Sequence, residues 1–218
     1  MIKSDKCAST GCNKSVYPGY HYCSKFCAIN QKNKCNRKEC IFEKNPGFDF
    51  CCLSCKNNQL HGSKCTSNTI YFYDKNKPYY EFTNFYVRSI IIDGVTYIST
   101  EHYYQSQKFI PTYPLIYQLI INQPSPRKAL ETAKKYNHLV RGDWHNGYKE
   151  KIMKIALHAK FSQHSDLKET LLSTNYKYLA EKTTMDKEWG IGSDGTGKNK
   201  LGLLLMNLRK SFQTNTKI

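Results

Sequence analysis

The sequence predicts a chain in two parts: a small cysteine-rich module over residues 1–66, then a predominantly helical α+β domain with a small β-sheet over residues 67–218. Three observations carry this. All ten cysteines lie between Cys7 and Cys65. Short strand-like runs gather near the start of the second part, before a series of helical patterns. The strands and helices do not alternate in the way a parallel βαβ sheet requires.

The cysteines follow a duplicated pattern. Cys7, Cys12, Cys23 and Cys27 recur at a constant offset of 28 as Cys35, Cys40, Cys51 and Cys55. Pro18 and Gly19 recur as Pro46 and Gly47 at the same offset. Each unit offers two cysteine pairs around a Pro-Gly turn, which suits a tetrahedral four-thiolate zinc site. A unit this short buries too little apolar surface to fold alone, so metal would supply the folding free energy. Two structural zinc sites are therefore expected, with Cys52 and Cys65 left over. Closed four-thiolate sites have no open position for catalysis, and no organic cofactor is expected.

The polar stretch Lys56–Asn68 reads as a linker. Thr69–Tyr73 is expected as a strand, and Ser89–Ile92 and Val95–Ile98 flank Asp93-Gly94 as a hairpin. Ser99 or Thr100 then caps a helix from Glu101 to about Phe109. Ser125-Pro126 opens another to about Tyr136, with proline at the tolerated first position. Longer patterns follow over Gly147–Gln163, from Ser165-Asp166, and from Asn199 to about Phe212.

The net charge is +16, and both parts share it. Such an excess favours phosphate-bearing partners, metabolite or nucleic acid. No apolar run reaches the length of a membrane span, and the N-terminal residues show no secretory pattern. An intracellular, cytoplasmic location without a membrane partner is the expectation.

Two segments carry candidate chemistry. Gly192-Ser-Asp-Gly-Thr-Gly197-Lys198-Asn199 falls one letter short of a phosphate-binding P-loop. The residues before it do not read as a buried strand, and Asn199 lacks the hydroxyl that holds magnesium, so nucleotide hydrolysis is excluded. Glycines running into a helix start would still present free N–H groups to an anion. The second segment is Thr100–Phe109, where Glu101, Gln105 and Lys108 share one helical face. A carboxylate, an amide and an amine so placed suit acid–base or nucleophilic chemistry.

Residues 69–210 resemble the NADAR superfamily, whose members include the riboflavin-biosynthesis-intermediate N-glycosidases. The matching segments are Glu81–Phe85, Thr100–Phe109, Arg141–Trp144, Met153, Lys160-Phe161, Glu181 with Asp186, Trp189–Gly192, Gly197–Asn199, Leu201-Gly202 and Leu205–Arg209. The resemblance implies hydrolysis of the N-glycosidic bond of phosphoribosylamino-pyrimidines, with release of ribose 5-phosphate. The alternatives are removal of ADP-ribose from guanine in nucleic acid, or a binding module without turnover. It also implies the residue roles. Glu101 would face C1′ and stabilise the developing cation. Lys108 would offer a Schiff-base route, and Asp186 would orient water or the leaving group. Phe82, Asn84, Gln105, Trp144, Trp189, Gly190, Gly192, Asn199 and Arg209 would form the substrate pocket, with the glycine loop cradling phosphate.

Overall fold

The computed structural model describes residues 69–175 and 177–215. The eight cysteines assigned to zinc, and with them the module over residues 1–66, lie outside the described residues. Among the described residues no group of three or more His, Cys, Asp or Glu could hold a metal ion. The zinc expectation is corrected accordingly: the structure lends it no support, and zinc takes no part in the functional reading below.

Strand β1 (Thr69–Phe72) pairs in parallel with β4 (Tyr178–Glu181), in a register that sets Phe72 against Glu181. Strands β2 (Ile90–Ile92) and β3 (Val95–Tyr97) form an antiparallel hairpin. Its turn residues Asp93 and Gly94 have φ of 50° and 77°, the left-handed pair that a two-residue hairpin turn requires. The domain is thus α+β, with two small two-stranded sheets where one was expected.

Six α-helices lie among the described residues: α1 (Thr100–Ser106), α2 (Pro114–Ile121), α3 (Pro126–Lys135), α4 (Lys149–Gln163), α5 (Ser165–Ser173) and α6 (Lys200–Asn215). All seven residues of α1 are buried, because α2, α3 and α4 pack around it. Its N-terminus is fixed by Ser99, whose Oγ accepts from the His102 amide and bonds the His102 ring at 2.8 Å. The other ring nitrogen of His102 donates to the Gln123 carbonyl, so this histidine is fully engaged in holding the fold. Helix α4 begins only at Lys149, since Gly147 at φ 92° interrupts the helical pattern before it.

Beneath α1 lies an aromatic core in which Phe82 meets Phe72 and Phe161 edge-on, with ring centroids 5.7 and 5.9 Å apart. Phe82 is completely buried. It shapes the segment beside the site and has no surface to offer a substrate. The amine of Lys160 is equally buried, and its Nζ donates to the Thr83 carbonyl at 2.9 Å. This contact anchors the 81–85 segment. In turn, the Asn84 carbonyl accepts from the Glu101 amide and the Thr100 hydroxyl, which fixes the start of α1.

The residues directly ahead of the glycine loop, 182–190, form no strand, as expected. A buried strand that the sequence did not announce stands further upstream, with Tyr178, Leu179, Ala180 and Glu181 all buried. The arrangement remains unlike a P-loop, because the chain turns through residues 182–191 in between.

Candidate active site

Helix α1 ends at Ser106, short of the expected Phe109, so it carries Glu101 and Gln105 of the predicted polar face but not Lys108. Gln105 Nε2 donates to Glu101 Oε1 at 2.7 Å, one helical turn apart. Lys108 stands just beyond the helix end, where the chain continues to turn, and its Nζ lies 5.6 Å from the Trp144 ring and 5.7 Å from the Tyr104 ring. Burial pushes the Glu101 carboxyl above its ordinary range, while the Gln105 amide and the Lys108 charge pull against that shift. Burial likewise lowers the Lys108 pKa, and the Glu101 carboxylate opposes it. Each group is thereby drawn toward its neutral form, with the other as partner.

Tyr104 joins the two tryptophans. Its ring is 5.0 Å from that of Trp144 and 5.6 Å, edge-on, from that of Trp189. Trp144 is buried, hemmed in by Tyr104, Tyr148 and Lys108. Trp189 is only partly buried, which makes it the tryptophan with ring surface available to a flat heterocycle. The sequence treats the two alike; the packing separates them.

Three buried acceptors among the described residues, Asn84 Oδ1, Gln105 Oε1 and Glu150 Oε2, have no hydrogen-bond partner. Native interiors seldom leave such atoms unpaired. The first two belong to residues expected to touch substrate. Lys108 also lines a cavity of about 230 Å³ together with Thr112, Tyr113, His138 and Arg141. A larger cavity of about 590 Å³, lined by Ile91, Ile155, His158, Leu204 and others, contains none of the predicted residues.

Asp186 Oδ1 accepts from the amides of Glu188 and Trp189, at 2.7 and 2.8 Å. It caps the turn that presents Trp189, and its charge helps raise the pKa of both Glu101 and Glu181. Glu181 is the residue that sequence reasoning left without a role. Burial, then the neighbouring Asp186 and Glu101 carboxyls, push it up to about 8. A lone acid in the otherwise apolar run Tyr178-Leu-Ala was the available signal, and recognising the strand would have exposed it.

The glycine loop behaves differently from expectation. Residues 187–191 and 197–201 pair with each other through Lys198 N to Lys187 O, Asn199 N to Gly190 O, Lys200 N to Glu188 O and Leu201 N to Trp189 O. Gly195 N and Gly197 N go to Gly192 O and Ile191 O, and Thr196 N to Asp194 Oδ1. The amides from residue 195 to 201 are therefore engaged within the loop, and no cradle of free N–H groups points outward from them. The anion-binding reading of this loop is corrected.

Its other members are structural too. A Cβ on Gly190 would lie 2.1 Å from Thr183 Cγ2 and 2.7 Å from the Glu181 carbonyl, so glycine there permits close backbone approach. Gly192 takes φ 67° beside the Lys187 side chain. The buried Asn199 amide accepts from Glu181 N and donates to Tyr178 Oη and Leu179 O. Arg209 Nη1 donates to Thr174 Oγ1 and to the Lys177 carbonyl, tying α6 to the connection before β4. None of these four is placed to grip a ligand; they hold β4 and the Trp189 turn in position. Glu188 completes the anchoring: Lys149 and Lys200 each reach it at 2.7 Å and, against the effect of burial, hold it at about 2.

Fold and site together define an α+β domain built around a buried carboxyl, a nearby half-buried lysine and an aromatic wall. The chain belongs to the NADAR family, with residues 71–213 matching the NADAR domain. It is 40% identical over 143 residues to the N-glycosidase YbiA of Escherichia coli strain K12, covering 66% of this chain and 88% of that protein. An N-glycosidase of Nostoc punctiforme is 36% identical over 146 residues, covering 66% of this chain and 93% of that one. A riboflavin biosynthesis protein of Vibrio vulnificus is 33% identical over 144 residues, covering 66% of this chain but 38% of that longer protein. The NMR structure of E. coli YbiA superposes with a TM-score of 0.63 at 38% identity, over 68% of this chain and 87% of that one. No helix among the described residues is long and apolar enough to cross a membrane.

Proposed function

We propose that this protein is an N-glycosidase that hydrolyses phosphoribosylamino-pyrimidine intermediates of riboflavin biosynthesis and releases ribose 5-phosphate. The observation that carries the reading is the buried Glu101 carboxyl, hydrogen-bonded to Gln105 on one face of α1, with Lys108 just past the helix end against the Tyr104–tryptophan wall. The N-glycosidase relatives, matched over most of their length, support the reaction class.

Breaking the C1′–N bond develops positive charge on the ribose ring. A carboxylate that is costly to maintain in a dry site is stabilised most when that charge forms in front of it, so its effect falls on the transition state. Glu101 takes this role. Trp189 offers its ring to the pyrimidine. The unpaired Asn84 and Gln105 oxygens accept from ribose hydroxyls. With the glycine loop closed on itself, the phosphorylated end of the substrate is assigned to the cavity beyond Lys108, toward His138 and Arg141. A covalent route is favoured by one observation, the lowered basicity of Lys108, since a neutral amine can exchange with a ring-opened imine.

The test is release of ribose 5-phosphate from phosphoribosylamino-uracil. The wild-type chain is expected to turn it over, and Glu101→Gln to lose about 10²- to 10⁴-fold in kcat while still binding the substrate. Borohydride added during turnover attaches the ribosyl phosphate to Lys108 if the covalent route operates. Absence of release by the wild-type chain overturns the reading.

A further inference from the structure

Among the described residues, the buried ionic side chains have partners, with one exception. Glu101 meets Gln105, Lys149 meets Glu188, Lys160 meets the Thr83 carbonyl, and Arg209 meets Thr174. Glu181 as a residue is 9% exposed, and among the described residues its carboxyl has neither a hydrogen bond nor an ion pair. Its backbone, by contrast, is held at both ends. The amide donates to Asn199 Oδ1 and the carbonyl accepts from Ile191 N, with Gly190 pressed against that carbonyl. Loop residues first expected to bind phosphate thus fix this one acid in place.

The charged groups acting on Glu181 are Asp186, from the loop after β4, and Glu101, from α1. Both are carboxyls. The facing residue of β1 is Phe72, and the start of α6 presents the Asn199 amide and Gly202 to β4. No cation among the described residues is set against Glu181 to keep it ionised. It is an unpaired acid on a rigid strand end, whose carbonyl holds Ile191 in the turn that sets Trp189 against Tyr104 of α1.

We propose that Glu181 is the proton donor to the departing nitrogen, on a site whose glycosidase function is the reading given above. The electron pair of the breaking C1′–N bond passes to the nitrogen, and the Glu181 proton follows it. This yields the free amino-pyrimidine and a Glu181 carboxylate. Water adds to C1′ and gives its proton to the Glu101 carboxylate, forming ribose 5-phosphate. One water is consumed, and a proton returning from Glu101 to Glu181 through solvent restores the starting state. Burial and the two neighbouring carboxyls keep Glu181 protonated at neutral pH, with its pKa at about 8. The two acids thus have different environments for different tasks, as paired acid–base sites require.

The experiment compares wild type and Glu181→Gln on two substrates: phosphoribosylamino-uracil, and the 5-phosphoribosylamine of 4-nitroaniline, whose electron-poor amine departs with less need of a proton. Glu181→Gln is expected to lose about 10²- to 10⁴-fold in kcat on the uracil substrate, with KM changed less than about threefold. Its loss on the nitroaniline substrate is expected to stay below about tenfold. The wild-type kcat should fall as pH rises through about 8, and Glu181→Gln should lack that fall. Equal losses on both substrates, as a misfolded or merely structural variant would give, overturn the assignment. So does a variant within threefold of wild type on the uracil substrate. Absence of wild-type turnover would instead overturn the glycosidase reading itself.

Discussion

Replacing Lys160 with methionine should change how stability depends on pH. Lys160 is fully buried, and burial lowers its pKa from 10.5 to about 7. Between those values the unfolded chain carries a proton on this residue that the folded chain does not. Stability therefore rises with pH across the window, by about 1.4 kcal/mol per pH unit. The whole interval bounds the cost of burying this lysine at about 5 kcal/mol near neutral pH. Glu181 works in the opposite sense. Its pKa is raised from 4.5 to about 8, so the folded state holds the extra proton and stability falls as pH rises through that range. From pH 7 to 8 the two contributions offset each other. Above pH 8 the lowered Lys108 adds to the rise, and Lys160 supplies about 2 kcal/mol of it between pH 8 and 9.5. Urea unfolding followed by fluorescence of Trp144 and Trp189 measures it. In Lys160→Met the rise above pH 8 should shrink by about that amount. A variant showing the same rise as wild type above pH 8 would refute the reasoning.

Two other substitutions probe the site and its support. Trp189→Ala should raise KM by about tenfold or more, since stacking on an aromatic ring is worth about 1–3 kcal/mol per base; steady-state kinetics that leave KM unchanged would remove Trp189 from the binding surface. Gly190→Ala should destabilise the domain by about 1–3 kcal/mol, because the added Cβ would meet Thr183 and the Glu181 carbonyl, and urea unfolding would register the loss.

Much of this domain was legible in its sequence because local signals and packing agree. Asp93-Gly94 does form the hairpin turn, Ser99 and Ser125 do cap helices, and Gln105 does reach Glu101 across one turn. Two elements escaped. Helix α2 lies in the apolar run after Pro114, where the polar face that marks a surface helix is weak. Strand β4 is four residues long, and its parallel partner β1 lies more than a hundred residues away, so no turn chemistry announces the pairing. The glycine loop misled for a physical reason. Glycines that let a backbone approach an anion equally let it approach another backbone, and only the hydrogen bonds distinguish the cases. The acid on β4 was hidden by the same gap, since its strand had not been recognised.

That self-paired loop has a practical consequence. Residues 187–191 and 197–201 act as two rails, and the intervening tip, residues 192–196, hangs beyond them with an exposed Lys187–Asp194 clasp. Gly195 holds φ 71° and is best left as glycine, while Ser193 nearby is exposed. The tip is therefore a natural handle: a fluorophore, a spacer or a tether grafted there would leave the rails, and the tryptophan they carry, undisturbed.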